Sequence, residues 1–231
     1  MNNTIAVIIP AYNEEQSIAH VIHDIPKNIA NHIIVVNNNS TDHTQQIAEN
    51  AGATVLLEKQ MGYGYACLKG LDYIAKNNIN PDIVVFLDGD YSDYPEEMID
   101  LVKPIITQNY DMVIGARTKN GREKHSMTPQ QIFGNWLATR LMKIIFNAKF
   151  TDLGPFRAIK YDSLLKLNMQ DKTYGWTIEM QLKALKQKIN YLEVPVKYKK
   201  RIGVSKVSGT IKGTIFAGIK ILSWIFKYSF K

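Results

Sequence analysis

The segment Ile83-Val84-Val85-Phe86-Leu87-Asp88-Gly89-Asp90 decides the fold. Five consecutive apolar residues, three of them β-branched, suit a strand buried on both faces, which is the habit of parallel sheets. The run stops on two carboxylates with a glycine between them. Burying like charges is costly, so the pair needs a cationic partner or an open cleft at the end of the strand. Working outward, similar short runs lie at Ile5–Ile9, His32–Val36, Thr54–Leu57 and Met112–Gly115. Helical patterns separate them, at Glu15–Ile25, Thr41–Asn50, Tyr65–Lys76 and Glu96–Gln108. Ser40 or Thr41 marks one helix start, and Pro95 before Glu96-Glu97 marks another. The alternation predicts an α/β fold, a mostly parallel sheet flanked by helices.

The second half is less regular. Thr128–Phe146 reads as an amphipathic helix, Thr151–Ile159 as a loop entering a strand, Trp176–Gln187 as a helix and Tyr191–Tyr198 as a strand containing Pro195. With no internal repeat or low-complexity linker, one domain is expected over residues 1–208, followed by a basic amphipathic helix over residues 209–231.

The chain has 231 residues, 45% of them hydrophobic and 21% charged, which is ordinary for a soluble globular protein. Cys67 is the single cysteine, so no intramolecular disulfide can form, and a reducing compartment is expected. The net charge of +7 is concentrated in Lys197–Lys231. Such a basic end calls for an anionic partner, either phosphate groups or an anionic membrane surface. No aromatic RNA signature or DNA-reading motif accompanies it, so nucleic acid is not expected. Ile5–Pro10 is too short for a signal peptide and lacks a basic flank, and no window reaches the roughly 18 apolar residues of a membrane span. The expected location is cytoplasmic, peripheral at the inner face of the membrane; the oligomeric state is left open.

Ligands of open parallel sheets bind beyond the carboxyl ends of the strands. Ala11-Tyr12-Asn13-Glu14, Asn37-Asn38-Asn39-Ser40 and Asp88-Gly89-Asp90 all fall there, and should converge on one cleft. Residues two apart on an extended segment point the same way, so Asp88 and Asp90 can address one ligand, with Gly89 allowing close approach. Two carboxylates at such a mouth suit Mg²⁺ or Mn²⁺ shared with substrate phosphates. Each motif also has a plainer reading. The Asp-Gly-Asp segment can be a solvated turn, Asn37–Asn39 a polar turn before a helix, and Gly62 and Gly64 simple turn chemistry instead of a phosphate cradle.

Taken in order, VIIPAYNEE (Val7–Glu15), VVNNNSTDHT (Val35–Thr44), FLDGDYSDYPE (Phe86–Glu96), GARTKNGR (Gly115–Arg122), LGPFRAI (Leu153–Ile159) and VPVKYKKRIGVSK (Val194–Lys206) form a set. The set resembles the inverting glycosyltransferases of family 2, in particular the polyprenol-phosphate, dolichol-phosphate-mannose-synthase-like branch. The resemblance spans nearly the whole chain. It implies a GT-A fold, a nucleotide-sugar donor and a divalent metal, Mg²⁺ or Mn²⁺. It further implies that Pro10, Tyr12 and Glu14 line the nucleotide pocket, with Asn37 and Asn39 near the base, where relatives often carry an aspartate. Asp90 would be the main metal ligand and Asp88 would contact nucleotide and metal. Ser92 stands where relatives often carry glutamine, so the third protein ligand is open, with Asp93 or water to substitute. Gly62 and Gly64 would lie near the donor. Arg117, Arg157, Arg201, Ser205 and Lys206 match the positions that meet phosphates, though LGPFR departs from the family's GFR-like segment. Glu179, on a helix where an isolated glutamate usually faces solvent, matches an acidic position near the acceptor.

Inversion requires attack on the anomeric carbon opposite a departing nucleoside diphosphate, through a transition state of oxocarbenium character. A lipid-phosphate acceptor is already anionic and needs no strong base; a sugar hydroxyl would need one, with Glu179 or Asp93 as candidates. The first expectation is hexose transfer from a UDP- or GDP-sugar to a polyprenyl phosphate. The alternatives are a family 2 transferase acting on a sugar hydroxyl in cell-surface polysaccharide or glycolipid assembly, and a non-catalytic nucleotide-sugar-binding protein. In the tail, Lys212, Lys220 and Lys227 share one helical face, and Trp224 and Tyr228 read as interfacial aromatics, the pattern of a helix lying in a membrane surface. The competing reading is a helix packed on the domain's own core.

Overall fold

The computed structural model describes residues 3–203 and 211–229. Its centre is a seven-stranded sheet of β1 (Ile5–Ala11), β2 (His32–Asn37), β3 (Thr54–Leu57), β4 (Ile83–Phe86), β5 (Met112–Ala116), β6 (Arg157–Lys160) and β7 (Tyr191–Pro195), in the order β3-β2-β1-β4-β6-β5-β7. All neighbours pair in parallel except β6, which runs antiparallel to both β4 and β5. The helices are α1 (Ile18–Asp24), α2 (Thr44–Asn50), α3 (Tyr63–Lys76), α4 (Met98–Gln108), α5 (Pro129–Phe146), α6 (Tyr161–Leu167), α7 (Trp176–Lys186) and α8 (Ile211–Ser229).

The period of two in the strands builds two cores. Ile5, Val7 and Ile9 of β1 face α1, α2 and α4, while Ala6 and Ile8 face the layer of α3 and α5 to α8. The sheet therefore has helices on both sides, as its continuous apolar strands require. Strand order turns outward in both directions from the β1–β4 pair, so the crevice beyond their carboxyl ends is the topological switch point.

Local chemistry shifts several boundaries. The side chain of Asp42 accepts hydrogen bonds from the Thr44 N–H and hydroxyl, and this turn delays the start of α2 to Thr44. Thr128 caps α5 in a reciprocal box with Gln131, so it stands before the helix and not within it. A 3₁₀ turn at Pro95–Glu97 leads into α4. Strand β7 ends at Pro195, short of Tyr198. Helix α6 carries no mark in the sequence distinct from the strand it follows.

Candidate active site

The β1 and β4 ends open onto a cleft of about 880 Å³, whose polar end is lined by Pro10, Tyr12, Glu14, Asp88, Gly89 and Asp90 together with Arg117 and Arg201. The loops there are tied to one another by side chains. Asn13 adopts a left-handed φ of 54°, accepts from the Thr41 N–H at 2.8 Å and donates its own N–H to Ser40 Oγ at 3.0 Å. The Glu14 N–H donates to Thr44 Oγ1 at 2.8 Å, and the Ser17 hydroxyl reaches Glu14 Oε2 at 3.1 Å.

Asp88 and Asp90 answer the question of the buried carboxylates differently. Asp90 is compensated: Arg201 Nη1 lies 2.6 Å from its Oδ2, and the Ser92 N–H and hydroxyl both donate to its Oδ1. Asp88 is not. Among the described residues the side chain that donates to it is the Tyr63 hydroxyl, at 3.0 Å, and burial together with the Asp90 charge raises it to about 7 against the pull of Arg201. Next to them Asp93 is buried with no hydrogen-bond partner on either oxygen among the described residues, and burial, Asp88 and Asp90 push its carboxyl far up. The polar end thus holds more acid than Arg201 neutralises. Arg117 adds little, because Asp152 grips it bidentately at 2.8 and 2.7 Å while Tyr198 stacks 5.1 Å from the guanidinium. Burial alone would raise Asp152, but Arg117 and its hydrogen bonds outweigh this and hold it below the ordinary carboxylate range.

Several expected site residues stand elsewhere. Arg157 is fully buried beneath the cleft, its guanidinium donating to the carbonyls of Leu153, Gly154 and Thr177, so no face of it meets a phosphate. Glu179 neither faces solvent nor lines the cleft: it is fully buried, ion-paired with Lys183 at 2.7 Å and accepts the N–H groups of Gln170 and Asp171. Asn37 bonds Gln45 and the Ser40 N–H, and Asn39 takes a left-handed φ of 63°, which is the polar-turn reading. The middle residue, Asn38, lines the cleft instead, and it anchors the glycine-rich loop by accepting the Gly62 N–H at 2.8 Å. The glycines owe their identity to protein backbone: a Cβ on Gly62 would stand 2.3 Å from the Lys172 carbonyl oxygen, and one on Gly64 2.0 Å from that of Asp171. Ser92 donates both its N–H and its hydroxyl to Asp90. Ser205 and Lys206 lie outside the described residues.

Sequence reading passed over Asn38, Tyr63 and Tyr198, all of which line the cleft. Their signals were present but weak: one asparagine of three, and tyrosines beside Gly62 and Arg201. The far end of the cleft is apolar, walled by Phe133, Leu137 and Ala138 of α5 and by Ile219, Ile221 and Leu222 of α8. Trp224, expected at a membrane interface, is instead buried, and its indole N–H donates to Asp171 at 2.7 Å. Lys220 pairs with Asp171 at 3.1 Å, and exposed Lys227 lies 4.5 Å over the Trp224 ring; the side chain of Lys212 is outside the described set.

Comparison with known proteins identifies the architecture. The pattern of glycosyl transferase family 2 matches residues 6–167. Glycosyltransferase AglJ of Haloferax volcanii is 30% identical over 197 residues, 85% of this chain and 63% of that one, so the match spans under two thirds of that relative. A dolichyl-phosphate hexose transferase of the same organism is 30% identical over 206 residues, 88% of this chain and 86% of that one. Glucosyl-3-phosphoglycerate synthase from Mycobacterium tuberculosis, crystallised with Mn²⁺, UDP and glucosyl-3-phosphoglycerate, superposes with a TM-score of 0.77 at 20% identity, over 98% of this chain and 80% of that one. The expected GT-A fold is therefore the fold observed. The family pattern covers the β1 and β4 ends and the acid pair between them, and the chain is a glycosyltransferase belonging to glycosyl transferase family 2.

Proposed function

We propose that this enzyme transfers a hexose, with inversion, from a UDP- or GDP-sugar to a polyprenyl phosphate, using Mg²⁺ or Mn²⁺. The observation that carries the proposal is the single cleft that runs from Asp88, Asp90 and Arg201 to an apolar end between α5 and α8. A charged donor fits the first end and an isoprenoid chain the second.

The acid pair fits a divalent ion. Asp88 is raised to about 7 because its charge is insufficiently compensated, and a cation relieves that cost. Asp88 and Asp90 would hold the ion; among the described residues no third His, Cys, Asp or Glu joins them, so the ion would need oxygen donors from outside the protein, as hard cations accept. When bound, the ion supplies Lewis-acid stabilisation of the leaving diphosphate. Tyr63 orients Asp88, Ser92 orients Asp90, and Arg201 places a fixed positive charge where negative charge develops. An acceptor phosphate oxygen attacks the anomeric carbon as the bond to the nucleoside diphosphate breaks.

A phosphate acceptor is favoured over a hydroxyl because neither base candidate, Glu179 or Asp93, lines the cleft. The similarity to a dolichyl-phosphate hexose transferase supports the same class. The apolar side chains Ile215, Phe216, Ile219 and Phe226 of α8 are exposed, as are Phe133, Trp136 and Ile144 of α5, and this two-helix face suits an anionic membrane surface. No helix of the described residues is long and apolar enough to cross a membrane.

The test is incubation of the purified enzyme with UDP- and GDP-sugars, Mg²⁺ or Mn²⁺, and undecaprenyl phosphate in detergent, read by mass spectrometry. A metal-dependent lipid-linked hexose is expected. Transfer to a sugar hydroxyl with no lipid product would overturn the acceptor assignment.

A further inference from the structure

The C-terminal helix is connected to the acidic end of the cleft by a short series of polar contacts. Trp224 of α8 donates its indole N–H to Asp171 Oδ2 at 2.7 Å, and Lys220, one turn earlier, reaches the same oxygen at 3.1 Å. The other oxygen accepts the backbone N–H groups of Thr173 and Gly175 at 2.8 and 2.9 Å. Asp171 thereby closes residues 170–175 into one shape. Asp171 is 2% exposed, so undocking α8 would leave a buried charge without two of its partners. Gly175 must be glycine here, since a Cβ would stand 2.4 Å from both Asp171 Oδ2 and the Trp224 indole nitrogen.

Residues 171–173 are in turn the surface on which the glycine-rich segment rests. The N–H groups of Gly64 and Tyr65 donate to the carbonyls of Thr173 and Lys172 at 3.3 and 3.0 Å. Between the glycines, Tyr63 sends its hydroxyl to Asp88 at 3.0 Å. Every step from Trp224 to Asp88 is therefore a hydrogen bond or a contact too close for a side chain to enter. Neither Trp224 nor Asp171 lines the cleft, so neither can act by touching substrate.

We propose that Trp224 and Asp171 form a positioning latch: docked α8 holds residues 170–175, and through them the glycine-rich segment and Tyr63, in the shape that receives the nucleoside diphosphate. The latch rests on the donor assignment above, which places that group at the Asp88 end. Docking of α8 and donor binding then favour each other by the same factor.

The experiment uses the full-length chain and Trp224→Phe, which keeps a ring and removes the N–H, with Asp171→Asn and Lys220→Met as second routes should one variant fail to fold. Binding of UDP and GDP with Mn²⁺ is measured by titration calorimetry, beside melting curves and steady-state kinetics. Loss of a hydrogen bond to a charged group predicts nucleotide affinity about tenfold weaker. The donor KM should rise by the same factor with kcat unchanged, the signature of lost binding without lost chemistry. The Trp224→Phe/Asp171→Asn double variant should bind no more weakly than the worse single one, because the two act as a unit. A purely structural role would instead lower the active fraction, and so kcat, at unchanged donor KM. Equal nucleotide affinity in folded Trp224→Phe and the parent chain overturns the latch alone. Failure of the folded parent chain to bind either nucleotide overturns the donor assignment and the latch with it.

Discussion

Asp90 and Asp152 show how the same residue type acquires opposite tasks. Asp90 is held by Ser92 and Arg201 at the mouth of the cleft, where one oxygen can exchange a guanidinium for another cation. Asp90→Asn should abolish Mn²⁺-dependent nucleotide binding in calorimetry and lower turnover by roughly 10²–10³-fold, the usual cost of one lost electrostatic contact in a transition state. Asp152 is structural, clamping Arg117 through both oxygens and accepting its backbone N–H at 2.7 Å. Its folded-state affinity for protons is depressed, so its stabilisation is complete above the unfolded value near pH 4 and is lost as pH falls through the folded value. Asp152→Asn leaves a buried arginine unpaired and should cost about 3–5 kcal/mol at pH 7, with the deficit shrinking on acidification. Urea denaturation at pH 7 and pH 3 measures both. The identities of Asp88 and Asp90 as a pair were legible in the sequence; the partner of Arg117 was not, because Asp152 lies 35 residues away.

At the scale of elements, the strands and long helices followed their hydrophobic periods closely, and the differences have local causes. Asp42 delays α2 with a side-chain turn, and Thr128 caps α5 from outside in a box with Gln131 of its first turn. The glycine-rich loop between β3 and α3 is the instructive case. A glycine pattern at a helix start reads as a phosphate cradle, yet the atoms nearest a Gly64 Cβ are the Asp171 carbonyl oxygen at 2.0 Å and carbonyl carbons behind it. Gly64→Ala should therefore push α3 away from residues 171–173, costing about 1–3 kcal/mol by overpacking. Thermal melting beside nucleotide titration would detect both the loss of stability and the weakened donor site. Helix α8 bears out the packed-helix reading of the tail on one face and leaves an apolar face exposed on the other. Trp224 and Ile225 are buried on the domain, while Ile215, Phe216, Ile219 and Phe226 remain exposed.

Over the whole molecule, α5 and α8 both expose apolar side chains, with Phe133 at 61% and Trp136 at 57% exposure, and Phe133 and Ile219 among them also line the apolar end of the cleft. A lipid acceptor would enter the cleft from the surface these helices touch. Phe133→Ser combined with Trp136→Ser should weaken sedimentation with anionic phospholipid vesicles while leaving nucleotide binding intact. Added salt should weaken the remaining binding further, since screening removes only the electrostatic share. Equal sedimentation of parent and variant would exclude α5 from the membrane-facing surface.

The sequence by itself determined the parallel α/β architecture, because continuous β-branched runs can only be satisfied by burial on both faces, and it marked the acid pair, because two carboxylates ending such a run demand compensation. It also carried the family pattern across residues 6–167. Only the tertiary structure decided which cations and acids share the cleft. Arg157 and Glu179 read as site residues along the chain, but packing turned both inward onto backbone partners. Trp224 read as a membrane anchor until Asp171, 53 residues earlier, offered its indole a buried acceptor. Side-chain direction at these positions follows from contacts distant in sequence, and periodicity holds no record of them.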